Sequence, residues 1–94
     1  MEPAAKIRRH AYFSGRVQGV GFRFTACRIA EGFDVVGYVK NLTDGRVEAV
    51  VEGPEPEVSG FLAAMQTEMS DNIRKIETED AAASGVFGRF DVRL

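Results

Sequence analysis

Apolar residues in this chain recur at two alternating spacings, and the order of those spacings restricts the fold more than any other feature. From Ile7 to Ser14, Ile7, Ala11 and Phe13 fall on one face and His10, Tyr12 and Ser14 on the other, the period of a strand. Beyond glycines at 15, 19 and 21, Phe22, Ala26, Ile29 and Ala30 lie at i, i+4, i+7 and i+8. That is one stripe of a helix, which Gly32 is expected to end. Val35 to Lys40 is β-branched and aromatic and reads as a strand. Thr43-Asp44-Gly45 supplies a turn, and Val47, Ala49 and Val51 alternate with Glu48, Val50 and Glu52 in the returning strand of a hairpin. Gly53-Pro54-Glu55-Pro56 breaks the chain again. Val58, Phe61, Leu62 and Met65 then mark a second helix, with Glu55 and Glu57 near its positive end. Ile73 to Thr78 is charge-rich and suits an edge strand. Ala81 to Gly85 reads as a small-residue loop, and Phe87, Phe90, Val92 and Leu94 as a last strand with an irregularity near Gly88.

The order is β-α-β-β-α-β with an added terminal strand. Two helices must then cover one face of a mostly antiparallel sheet, which is an α+β, ferredoxin-like sandwich. The 94 residues are expected to form one domain over positions 1–94, with residues 1–5 frayed. A domain of this size hides only about 60–65% of the surface that its unfolded chain exposes. Cys27 is the one cysteine, so no intrachain disulfide supports that thin core. Twelve basic and fourteen acidic side chains give a net charge of -2, which argues against nucleic-acid partners, since these need a basic face. Met1 to His10 has no apolar stretch of signal-peptide length, and the longest clean apolar run, Phe61 to Met65, is too short to span a bilayer. The expectation is a reduced, cytoplasmic protein with no membrane partner, monomeric by default at this size.

Gly15-Arg16-Val17-Gln18-Gly19-Val20-Gly21-Phe22-Arg23 follows a strand and opens a helix. Backbone N–H groups can turn inward there, and the helix adds free donors and partial positive charge. Gly19 and Gly21 permit φ > 0 and close approach of an anion, and Arg23 adds a planar cationic fork suited to phosphate oxygens. The stretch therefore reads as an anion cradle of phosphate size. It is neither a P-loop, since no Gly-Lys-Ser/Thr follows, nor a dinucleotide fingerprint, since position 24 is Phe. A plain strand-to-helix turn with an incidental arginine remains the alternative. In the second segment, Gly37 to Glu48, Asn41 puts a neutral amide at a strand end. Asn is a common turn residue, but its amide can also hold a water through a donor and an acceptor at once.

Together the two segments resemble the acylphosphatase family, in Gly15-x-Val17-Gln18-Gly19-Val20-Gly21-Phe22-Arg23 and again in Gly37-Tyr38-Val39-x-Asn41-x-x-Asp44-Gly45-x-Val47-Glu48. The eighteen positions from Arg23 to Asn41 also suit the family. The resemblance implies hydrolysis of the carboxyl-phosphate bond of small acyl phosphates, with no metal, no cofactor and no covalent phosphoenzyme. It implies that Arg23 binds phosphate, that Asn41 orients the attacking water, and that backbone amides of Gly15, Arg16, Val17, Gln18, Gly19, Val20 and Gly21, with Phe22 and Arg23 following, form the phosphate loop. The chain departs from the family pattern at Gly32-Phe33, at Met69-Ser70-Asp71-Asn72 and at its final residue, Leu94, where an aromatic is frequent.

Other chemistries are poorly supplied. Position 33, where a Cys-based phosphatase would place Arg after Cys27, is Phe. Cys27 is expected on or near the buried side of the first helix, and nothing sets His10 beside Arg23 or Asn41. An acyl phosphate expels a carboxylate whose conjugate acid has a pKa of roughly 4–5, so general acid catalysis adds little. Neutralising the phosphoryl oxygens and aligning a water are what remain. Two rival readings are an RNA-recognition domain, whose aromatic signature would have to lie on a strand, and a non-catalytic phosphate or acyl-phosphate sensing module, which has no use for a water-orienting amide.

Overall fold

The structure, a computed structural model, describes residues 5–94. Of the residues expected to fray, 1–4 lie outside the described part, and Ala5 is exposed and outside any element. The elements are β1 (Lys6–Gly15), α1 (Phe22–Ala30), β2 (Val36–Asn41), β3 (Val47–Pro54), α2 (Glu55–Glu68), β4 (Ile73–Ala82) and β5 (Phe90–Val92). They build one sheet in the order β4-β1-β3-β2-β5. Pairing is antiparallel except between β2 and β5, which run parallel. This is the ferredoxin-like α+β sandwich with an extra C-terminal strand. Among the described residues no helix is long and apolar enough to cross a membrane.

The period-two pattern of β1 places Ala11 and Phe13 in the core, next to Val47, Ala49 and Val51 of β3 and Val39 of β2. Phe22, Ala26 and Ala30 of α1 and Val58, Phe61, Leu62 and Met65 of α2 cover that face. Phe13 and Phe22 meet with ring centroids 4.9 Å apart, so the first turn of α1 is fixed against the strand that feeds it. Burial of each such side chain stabilises the domain by roughly 1.5–3 kcal/mol. Pro54 precedes α2 and Pro56 lies in its first turn, where a missing N–H costs nothing.

Helix α1 ends at Ala30 with Glu31 as its C-cap, so Gly32 stands just past the end as expected, its N–H donating to the Ile29 carbonyl at 3.0 Å. The last two strands differ from the sequence expectation. Strand β4 runs to Ala82 instead of stopping near Thr78, because β1 stays alongside it as far as Ile7↔Ala82. The last strand is only Phe90–Val92.

The sheet face away from the helices is only partly open. Val50 and Glu52 are buried there, Glu52 to 2% exposure, and Ser84 and Gly85 cross over Glu52. Glu52 accepts hydrogen bonds from the Ser84 N–H at 2.9 Å, the Ser84 hydroxyl at 2.7 Å, the Gly85 N–H at 3.1 Å and Arg8 Nε at 2.9 Å. Burial alone would raise the pKa of this carboxyl, but the donors from Ser84, Gly85 and Arg8 outweigh it and hold the group at about 2.

Candidate active site

The 15–21 loop is anchored at both ends before it offers anything to a ligand. At Gly15 the β1–β4 pairing slips register, and the Gly15 Cα lies so close to β4 that a methyl group would overlap the Asn72 carbonyl oxygen. The Arg16 N–H donates to that same carbonyl at 2.9 Å. Val17 is fully buried. The Gln18 side chain turns toward the β2–β3 hairpin, where its amide nitrogen donates to the carbonyls of Leu42 at 2.7 Å and Arg46 at 2.9 Å.

Between these anchors and α1 the backbone is free. Gly19 and Gly21 have φ of 75° and 76°, with open space where a side chain would stand. Gly21 is the residue before α1, and no side chain caps the helix. The first closing bond is from Thr25 N–H to the Gly21 carbonyl, at 2.9 Å. Among the described residues, the N–H groups from Gly19 to Phe24 have no protein acceptor. Uncapped donors at a helix start, with the positive end of the helix dipole behind them, favour an anion.

Arg23 sits half-buried in the first turn of α1 and, among the described residues, has no carboxylate partner. Asn41, the last residue of β2, is paired across the hairpin with Val47. Arg23 and Asn41 line the same cavity, of about 610 Å³, with Val17, Gly19, Gly21 and Phe22. Gly15, Arg16, Gln18 and Val20 do not line it. The first three are taken up by the contacts above, and Val20 points to solvent at 36% exposure.

The sequence offered no sign of the remaining wall. Phe24 and Cys27 of α1, and Asp91, Val92 and Leu94 at the chain's last strand, complete the cavity. The last three arrive there because β5 joins β2 in parallel, with Gly37 opposite Phe90 and Val39 opposite Val92, a pairing that no local periodicity signals. Asp91 is held by Arg89 at 2.9 Å. Burial pushes the Cys27 thiol up, and Asp91 and Glu31 add to that, so its reactive thiolate is disfavoured. His10 lies on the sheet face away from the helices, with Nε2 2.8 Å from a Glu48 carboxylate oxygen and its ring stacked on Tyr12.

The family model described as Acylphosphatase matches residues 9–92 of this chain. An acylphosphatase of Syntrophotalea carbinolica is 41% identical over 89 residues, which are 94% of this chain and 97% of that protein. One from Haloarcula marismortui is 42% identical over 90 residues, 95% of this chain and 98% of that protein. Among solved structures, the crystal structure of acylphosphatase from Bacillus subtilis superposes with a TM-score of 0.84 at 30% identity, covering 94% of this chain and 99% of that one.

Proposed function

This chain belongs to the acylphosphatase family, and we propose that the cavity between the 15–21 loop and the end of β2 is where it works. The activity is hydrolysis of the carboxyl-phosphate bond of acyl phosphates to a carboxylate and inorganic phosphate. One observation carries the assignment of the site. Among the described residues, an arginine without a carboxylate partner, a run of N–H groups without a protein acceptor and a carboxamide come together at a single cavity.

The phosphoryl group docks against the N–H groups that follow Gly19, and the Arg23 guanidinium forks onto two of its oxygens. The helix N-terminus adds fixed positive potential where negative charge is densest. Asn41 accepts a hydrogen bond from the attacking water and donates one to a substrate oxygen, which holds the water in line with the bond to be broken. Water oxygen bonds to phosphorus while the phosphorus–acyl oxygen bond breaks. The bonding pair leaves with the carboxylate, and the water's proton passes to a phosphate oxygen, because Asn41 is no base. The leaving carboxylate needs no proton at neutral pH.

The proposal extends to residues 1–94 acting as one domain, monomeric and cytoplasmic, on a small-molecule substrate with no nucleic-acid or membrane partner. The net charge of -2 and the single thiol support it. The test is benzoyl phosphate hydrolysis in excess chelator, comparing the wild type with Arg23→Ala and Asn41→Ala. Turnover by the wild type and severe loss in both variants is the expected result. Phosphate binding without turnover by the wild type would reject it in favour of a sensing module, and wild-type rates from either variant would remove that residue from the mechanism.

A further inference from the structure

We propose that Gln18 is a positioning residue for hydrolysis, setting Asn41 relative to the phosphate loop. The inference rests on the roles given above to Arg23 and Asn41. Gln18 belongs to the loop but does not line the cavity. Its amide reaches out of the loop and donates both protons, one to the Leu42 carbonyl at 2.7 Å and one to the Arg46 carbonyl at 2.9 Å. Both acceptors are carbonyls, so the nitrogen and not the oxygen of the amide must face them.

Those two carbonyls close the hairpin immediately after Asn41. The Leu42 N–H donates to the Arg46 carbonyl at 2.8 Å, and the Gly45 N–H to the Leu42 carbonyl at 3.3 Å. Each oxygen thus has one bond within the hairpin and one from Gln18, which uses both lone pairs. β1 already ties the loop to β4, and β3 ties the hairpin to the sheet. Gln18 provides the direct tie between the two segments that carry Arg23 and Asn41. No shorter amide reaches, and a carboxylate in its place would repel both oxygens. An in-line reaction is sensitive to such placement, since a misplacement of about 1 Å can cost on the order of a hundredfold in rate.

The test is a kinetic cycle on the full chain, with wild type, Gln18→Ala, Asn41→Ala and the double variant assayed on benzoyl phosphate and for inhibition by inorganic phosphate. Gln18→Met repeats it with the side-chain volume kept, in case Gln18→Ala does not fold. The expected result is a fall in kcat of about tenfold or more for the Gln18 variants, with KM and phosphate inhibition changed less than about threefold. In the Asn41→Ala background the same substitution costs less than about threefold, because the group it positions is already gone. Losses that multiply in the double variant, or wild-type kcat from Gln18→Met, overturn the proposal while leaving the catalytic assignment intact. If Asn41→Ala alone turns over at the wild-type rate, the catalytic assignment fails and the Gln18 proposal fails with it.

Discussion

Glu52 should make this domain lose stability in acid, more than Asp44 or Asp80, whose carboxyls are also held below their ordinary range. The Glu52 carboxyl is buried on the open side of the sheet and takes hydrogen bonds from Ser84, Gly85 and Arg8. In the folded protein it titrates at about 2, against 4.5 for the same group in the unfolded chain. Between those values the unfolded chain binds the extra proton, so stability falls as pH falls. The contribution is complete above pH 4.5, declines below it and is gone near pH 2. At 1.36 kcal/mol per pH unit the gap is worth about 3 kcal/mol, a large share of the roughly 5–15 kcal/mol that holds most domains folded. Glu52→Gln keeps the shape and an acceptor but cannot ionise. Urea unfolding of both proteins from pH 7 to pH 2 isolates this one group, because all other carboxyls titrate alike in the two. The wild type should be more stable at neutral pH, and the two curves should converge in acid. Protection factors of the Ser84 and Gly85 amides, taken relative to the intrinsic exchange rate at each pH, should fall along the same profile, since protonating Glu52 weakens the bonds that hold both N–H groups. Curves that run parallel across the whole range would refute the reasoning, as would an excess stability that grows on acidification.

Other outcomes follow from the cavity. Arg23→Ala should lower kcat/KM by the equivalent of about 3–4 kcal/mol, roughly a hundred- to a thousandfold, and weaken inhibition by inorganic phosphate. Arg23→Lys should recover little of it, since the planar fork is lost; full recovery would mean that charge alone suffices. Asn41→Ala should reduce kcat more than it raises KM in steady-state assays. Asp91→Asn removes a negative charge from the wall of an anion site, so kcat/KM should rise by about two- to fivefold at low ionic strength, and the gain should fade at about 0.5 M salt.

Much of this was visible in the residues themselves. The change of period at Phe22, the turn at Thr43-Asp44-Gly45 and the apolar spacing from Val58 to Met65 place both helices and the central hairpin, because each pattern reports one buried face. Arg23 and Asn41 stand out by a different signal, the resemblance of the motifs around them to the acylphosphatase family, and the fold brings both residues to one cavity. The features that stayed hidden depend on distant partners. Ala81 and Ala82 read as loop until β1 pairs with them. Glu52 follows a half-exposed alternation until Ser84 and Gly85 cover it. The wall formed by Asp91, Val92 and Leu94 needs a parallel pairing across most of the chain. Gln18 was legible only as part of a glycine-rich loop, because nothing local shows where a flexible amide will land.

The tie made by Gln18 ends on main-chain oxygens of positions 42 and 46, and so it is indifferent to which side chains stand there. Natural variation or a designed library can exchange Leu42 and Arg46 without severing it, provided the bend itself keeps its shape. The neighbourhood beside Asn41 is thereby left open to diversification, and its residue identities can drift toward new preferences while the machinery next door holds its alignment.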